Sequence, residues 1–286
     1  MRHTLPRTLA ISLVLLGLAA SGGAGDEGEA PAATDADHDT GLTGALSEEA
    51  FAQLHTLSAA ETPPPRGTMI ELDGERAYLS LPEDAAPPLP GIVVIHEWWG
   101  LNDHIMHWTD RLAAAGYAAL AVDLYGGTVA TTREAAMAAM QAVDEERALE
   151  ILAAAHAFLA DDARIRAERR ASIGWCFGGG WSLQQALHAP DLDAAVIYYG
   201  RLTTDPEALQ AIEASLLGIF ANRDSSIPPE VVDAFEAALE EADVEHTILR
   251  YDADHAFANP SSARYDQEAA TDAWAHVADF LARELR

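Results

Sequence analysis

No lysine occurs anywhere in the 286 residues, and cysteine occurs once, at Cys176. The 17 basic residues are therefore all arginine, and 46 acidic residues outweigh them to give a formal net charge of −29. A surface of that sign repels phosphate backbones and anionic headgroups, which argues against a nucleic-acid or lipid-surface role. The excess of acid suits solubility in a saline medium. A single cysteine cannot close an intramolecular disulfide, so the fold has to stand on its apolar core. Hydrophobic residues make up 49% of the chain, enough for one sizeable core. No internal repeat recurs at solenoid spacing, which removes the repeat architectures.

The apolar run Leu9 to Ala20 is too short to span a bilayer comfortably. Arg2 and Arg7 precede it and small residues follow through Gly25. A basic start, a short apolar centre and a small-residue exit describe a secretory signal peptide over residues 1–24, with a buried N-terminal helix as the alternative. No cysteine stands near the exit, so a lipid-anchored cysteine is excluded. The expectation is a secreted or periplasmic protein with no membrane insertion in its mature form. Residues 25–66, rich in Ala, Gly, Asp, Glu and Thr and closing on Pro63-Pro64-Pro65, read as a disordered acidic linker with one short helix over 46–57. The folded domain then covers residues 67–286.

Within that domain, strand and helix patterns alternate. Thr68–Leu72 and Arg76–Leu81 flank Asp73-Gly74, a strong hairpin signal. Gly91–His96 is a continuous apolar run of strand length, as expected for a strand buried on both faces. Further strands are expected at 117–122, 171–174, 194–199, 216–221 and 246–251. Helices are expected at 103–115, 133–140, 144–160, 177–188, 228–241 and 265–285. This alternation predicts an α/β fold, a mainly parallel central sheet with helices on both faces. Ligands in such sheets bind at the carboxyl ends of the strands, where the distinctive residues fall.

Gly174-Trp175-Cys176-Phe177-Gly178 places the lone cysteine between a strand and a helix, in the Gly-x-Cys-x-Gly form of a nucleophile elbow. The turn is sharp and needs small flanking residues. The helix beginning at Phe177 turns free N–H groups and its positive end toward the thiol, which favours a thiolate and an oxyanion. A buried cysteine at a glycine-rich helix start is the plainer alternative. A cysteine nucleophile needs a histidine to move protons and an acid to orient it, in this fold in the chain order nucleophile, acid, histidine. Asp224 and His255 follow successive strands in that order. Alone, Asp224 reads as a helix cap or loop acid, and His255 as a surface histidine. Together with Cys176 they read as a triad. After the strand 91–96 comes His96-Glu97-Trp98-Trp99-Gly100. Its Trp98 N–H, with that of Phe177, is the expected oxyanion hole, and Glu97 projects toward the same pocket unless it is a plain surface acid.

These residues, with Asp123-Leu124-Tyr125-Gly126-Gly127 and His255-Ala256-Phe257, make the chain from about Thr68 onward resemble the dienelactone hydrolase family of the α/β-hydrolase superfamily. The resemblance implies a cofactor-free hydrolase of an ester or lactone, working through a Cys176-Asp224-His255 triad and an acyl-enzyme. It also implies that Glu97 deprotonates or positions Cys176 when substrate arrives. One position departs from the pattern. Family members acting on carboxylated lactones carry an arginine four residues after the histidine, where this chain has Asn259; Arg133 is the candidate for their other carboxylate-binding arginine. Losing a guanidinium weakens anion recognition, which argues against dienelactone itself. The pocket candidates Trp98, Trp99, Tyr125 and Phe257 suggest an apolar or aromatic small-molecule substrate.

Other readings are a non-catalytic binding protein on the same fold and a thiol peptidase or acyltransferase using the same triad. His96, Glu97, His104 and His107 lie close in sequence, but no cysteine joins them and His96 ends a buried strand, so no metal is expected. A monomer is expected. Intact mass of the protein from an exporting host should show loss of residues 1–24 or close to it, and a retained Met1 would exclude export by this segment.

Overall fold

The computed structural model describes residues 64–84 and 86–286, and the expected signal peptide and the helix at 46–57 lie outside the described residues. Eight strands form one sheet in the order β1-β2-β4-β3-β5-β6-β7-β8. They are β1 Thr68–Leu72, β2 Glu75–Ser80, β3 Gly91–Ile95, β4 Ala118–Val122, β5 Arg170–Trp175, β6 Ala194–Tyr198, β7 Ser215–Ala221 and β8 His246–Tyr251. The helices are α1 Asp103–Ala114, α2 Arg133–Gln141, α3 Glu145–Asp161, α4 Phe177–His188, α5 Pro206–Leu209, α6 Pro229–Glu241 and α7 Gln267–Leu285. Strand β2 is antiparallel to both of its neighbours, β1 and β4. Every other pairing is parallel. This is the α/β-hydrolase fold.

The hairpin forms because Asp73 and Gly74 both take positive φ, 51° and 83°, between the paired Leu72 and Glu75. That is the two-residue turn whose twist matches the flanking strands. Arg147 of α3 grips its tip, ion-pairing with the Asp73 carboxylate at 2.7 Å and donating to the Asp73 carbonyl. Strands β3, β4 and β6 are apolar along their length and β5 and β7 mostly so, because helices cover both faces. Ala194, Val196 and Tyr198 of β6 face one core with Val277, Phe280 and Leu281 of α7. Ala195 and Ile197 face the opposite core with Leu183 of α4 and Phe235 and Leu239 of α6.

Boundaries differ from expectation by a residue or two where a side chain caps a helix. Asp144 and Asp266 stand outside α3 and α7 because their carboxylates accept the Arg147 and Ala269 N–H groups. Tyr117 gives its N–H to Leu112 at the end of α1 and so stays out of β4. The four-residue α5, started by Asp205 and Pro206, was too short to show as a periodic pattern. Among the described residues, no helix is long and apolar enough to cross a membrane.

The tightest packing in the fold joins β5 and α4 to the end of β3. A Cβ on Gly174 would overlap the Gly178 carbonyl, and one on Gly178 would overlap the carbonyl oxygens of Ile95 and His96. Gly178→Ala should therefore cost about 3 kcal/mol or more of unfolding free energy in urea. A loss below about 1 kcal/mol would show that β3 and α4 can separate without penalty.

Candidate active site

Cys176 joins β5 to α4 with φ 54° and ψ −115°, an uncommon conformation for a side chain bearing Cβ. Its backbone N–H is held by the Tyr198 carbonyl at 2.9 Å. Where α1, α2, α3, α5 and α7 each start on a side chain that accepts a helix N–H, α4 starts on the thiol and has no side-chain cap. The first N–H groups of α4 are thereby left to the site. The Phe177 N–H hydrogen-bonds to the Cys176 sulfur.

Asp224 follows β7 and His255 follows β8. Their loops are tied to each other, Asn222 N–H to the Tyr251 carbonyl at 2.7 Å and Arg223 N–H to the Ala253 carbonyl at 3.0 Å. Asp224 Oδ2 sits 2.6 Å from His255 Nδ1, while Oδ1 accepts the N–H groups of Ser226 at 2.8 Å and Ile227 at 3.2 Å. His255 lies beside Cys176, close enough for each to shift the other's pKa. The three residues are buried together. Burial pushes the Asp224 pKa up, but His255 and the two N–H donors overcome it and hold the carboxyl below its usual range. Burial likewise opposes a charged His255, yet Asp224 and Cys176 outweigh it and hold the imidazole well above its ordinary value. The thiol moves up, chiefly because it is buried and further because Glu97 is near; His255 and the Phe177 N–H oppose that shift.

Glu97 lies in the loop after β3 and is 4% exposed. One oxygen, Oε2, accepts a hydrogen bond from Asn259 Nδ2. The other, Oε1, is buried with no hydrogen-bond partner among the described residues. Burial raises its pKa to about 7, against the pull of His255 and the Asn259 hydrogen bond. His96 fixes this loop. Its Nδ1–H donates to the Glu97 carbonyl at 2.7 Å and its Nε2 accepts the Leu124 N–H at 3.1 Å, which requires a neutral ring. Burial lowers its pKa in the same direction. Asp123 then cradles the adjoining turn through the N–H groups of Tyr125 and Gly127, both at 2.9 Å.

The expected site residues fall in different places. Cys176, Asp224, His255 and Glu97 come together, and Trp98 lies in the loop that packs against the start of α4. Tyr125 packs on Phe177 with ring centres 5.2 Å apart. Trp99 stacks obliquely on Trp98 at 5.2 Å. Phe257 is fully buried between Tyr199 and Tyr251, supporting the site from behind. Asn259 was expected to face substrate, but its side chain is committed to Glu97. Arg133 is exposed at the first residue of α2, away from this buried cluster. His104 accepts a hydrogen bond from the Trp108 indole at 3.2 Å, and among the described residues no cluster that could hold a metal ion occurs. Tyr199, not singled out from sequence, packs against His255 at 5.1 Å and feels the charges of both Glu97 and Cys176. The pair Tyr198-Tyr199 at the carboxyl end of a central strand was its available signal. A separate cavity, lined by Met140, Trp181, Arg201 and Thr203 among others, shares no residue with this cluster.

A buried thiol on a strained strand-to-helix turn, beside an imidazole–carboxylate pair at neighbouring strand ends, fits an α/β hydrolase of carboxylic esters or lactones. Residues 76–285 match the dienelactone hydrolase family, and the chain belongs to it. It is 31% identical over 248 residues to a Saccharolobus solfataricus protein named for carboxymethylenebutenolidase, spanning 73% of this chain and 93% of that one. A Synechocystis protein named likewise is 33% identical over 227 residues, spanning 73% of this chain and 92% of the relative. Among solved structures, one named as a dienelactone hydrolase from Klebsiella pneumoniae subsp. pneumoniae superposes with a TM-score of 0.70 at 30% identity. That match covers 76% of this chain and 98% of the other. The dienelactone hydrolase-like promiscuous phosphotriesterase P91, from metagenomic libraries, superposes with a TM-score of 0.69 at 26% identity, covering 77% and 98%.

The raised pKa of Glu97 has a consequence for stability. Between an ordinary carboxyl value near 4.5 and about 7, the folded protein binds a proton that the unfolded chain has released. Stability contributed by this group therefore falls as pH rises through that interval. At pH 8 the cost amounts to about 3 kcal/mol at most. Glu97→Gln should raise the unfolding free energy at pH 8 and leave it nearly unchanged at pH 4. An equal effect at both pH values, read by urea unfolding, would refute this electrostatic origin.

Proposed function

We propose that the protein hydrolyses uncharged esters or lactones through an acyl-enzyme on Cys176. The observation that supports this reading is the Asp224–His255 pair at 2.6 Å beside the Cys176 thiol, which stands on the elbow at the start of α4. Glu97 takes the thiol proton as sulfur adds to the substrate carbonyl, because an unpartnered carboxylate oxygen with a pKa near neutrality suits a general base. The oxyanion is met by the N–H groups of Phe177 and Trp98. When the tetrahedral adduct collapses, the carbon–oxygen bond to the leaving group breaks and that oxygen receives the proton held by Glu97. His255 in its neutral form, oriented by Asp224, then takes a proton from water as the water oxygen attacks the thioester. The second collapse releases the acid, and His255 returns its proton to the sulfur.

The surroundings support an uncharged substrate. Trp98, Trp99 and Tyr125 supply aromatic surface. At the position where the family's carboxylate-binding arginine stands, this chain has the neutral Asn259, already bound to Glu97. We further propose that residues 1–24 direct export, which the mass measurement above tests.

Cys176→Ala should lower turnover of an uncharged p-nitrophenyl ester by about a thousand-fold or more while leaving the unfolding transition in place. Cys176→Ser should retain a small residual rate, and rapid acid quench of the native enzyme should trap the acyl mass on the Cys176 peptide. Unchanged turnover in Cys176→Ala would falsify the nucleophile.

A further inference from the structure

Asn259 is buried at 3% exposure, and both ends of its amide are used. Its Oδ1 accepts the Ser261 N–H at 2.7 Å, which orients the amide so that Nδ2 donates to Glu97 Oε2. Its backbone is equally fixed, with its N–H on the Ala256 carbonyl at 3.1 Å and its carbonyl accepting the Ser262 N–H at 2.9 Å. The loop that follows β8 thus delivers His255 and, four residues on, the clamp for Glu97. We propose that Asn259 is a positioning residue, whose neutral amide holds one Glu97 oxygen and leaves the other for the Cys176 proton. The proposal rests on the reading of Glu97 as the proton acceptor in acylation.

The chemistry follows from the type of donor. A guanidinium would hold the carboxylate by two charge-assisted bonds and make it a weaker base. An amide offers one neutral bond, so Glu97 stays oriented while its basicity remains near that of a neutral-pH catalyst. The charged and titratable groups facing Glu97 agree with this. They are His255 from the loop after β8, Cys176 from the elbow and Tyr199 from the end of β6, and none is an arginine. Glu97 is therefore held before any substrate arrives.

Asn259→Asp separates this role from support of the loop. It keeps an oxygen for the Ser261 N–H but replaces the donor facing Glu97 with an acceptor. Burst kinetics of acylation by an uncharged p-nitrophenyl ester should then slow about tenfold or more at pH 7, with KM within about twofold. A second carboxylate beside Glu97 disfavours its ionised form, so the acid limb of the acylation profile should move up by about one pH unit or more. In a Glu97→Gln background the same substitution should add little, because the introduced amide can donate to the introduced carboxylate. An equal penalty in both backgrounds with an unmoved limb would reduce Asn259 to a loop support and overturn the proposal. No effect of Asn259→Asp while Glu97→Gln slows acylation would overturn it and leave Glu97 in the mechanism. No effect of Glu97→Gln would remove both. Asn259→Ser serves if the aspartate variant does not fold. It keeps an acceptor for the loop but shortens the reach to Glu97, and should slow acylation with the limb moved the same way; a native profile would overturn the proposal.

Discussion

The contact between the start of α4 and the end of β3 is the constraint on which the rest of the site depends. Gly178 packs against the carbonyl oxygens of Ile95 and His96 so closely that no side chain fits. The same closeness requires the sharp turn at Cys176, since Gly174 must pass the Gly178 carbonyl within the elbow. One steric fact thus has three chemical results. The thiol is raised on a strained residue, the uncapped helix start lies beneath it, and the loop bearing Glu97 and Trp98 is brought alongside. Hydrogen bonding of His96 to the Glu97 carbonyl and the Leu124 N–H then prevents that loop from swinging away.

The electrostatics divide into two halves that meet at the sulfur. On one side, Asp224 is fully supplied with donors and His255 is bound to it, so that pair is stable at neutral pH. On the other, Glu97 has a single hydrogen bond and an unused oxygen, and burial raises its pKa to about 7. The thiol lies between a group that favours its anion and one that opposes it. A carboxylate with unmet hydrogen-bonding capacity destabilises the fold, and the apolar cores on both faces of the sheet offset it.

Much of this was legible before any coordinates, for a physical reason. A parallel sheet buried on both faces writes its strands as continuous apolar runs and exposes chemistry only at their carboxyl ends. Cys176, Asp224, His255 and Glu97 could be found by asking which polar residues follow such runs. The hairpin at Asp73-Gly74 was readable because its turn demands positive φ at both positions. What escaped were relations across the fold. Asn259 and Glu97 are separated by 162 positions, and nothing local to either marks them as partners. Asn259 looked like an empty arginine position because a family pattern describes what a residue replaces, not what it now touches. Tyr199 escaped because an aromatic at a strand end reads as core until its distance to His255 is known.

Asn259 also changes how the missing arginine should be understood. Judged by composition, its absence is a loss of anion recognition. Judged by contact, the position still serves Glu97, with a donor that is neutral instead of charged. The two views lead to different enzymes. In the first, the site has lost affinity for its substrate and kept the chemistry. In the second, the chemistry itself is retuned: the base is pre-oriented by a neutral donor. The unpartnered Glu97 Oε1 favours the second view, since a site that had merely lost a substrate contact would have no reason to hold a buried carboxylate by one oxygen only.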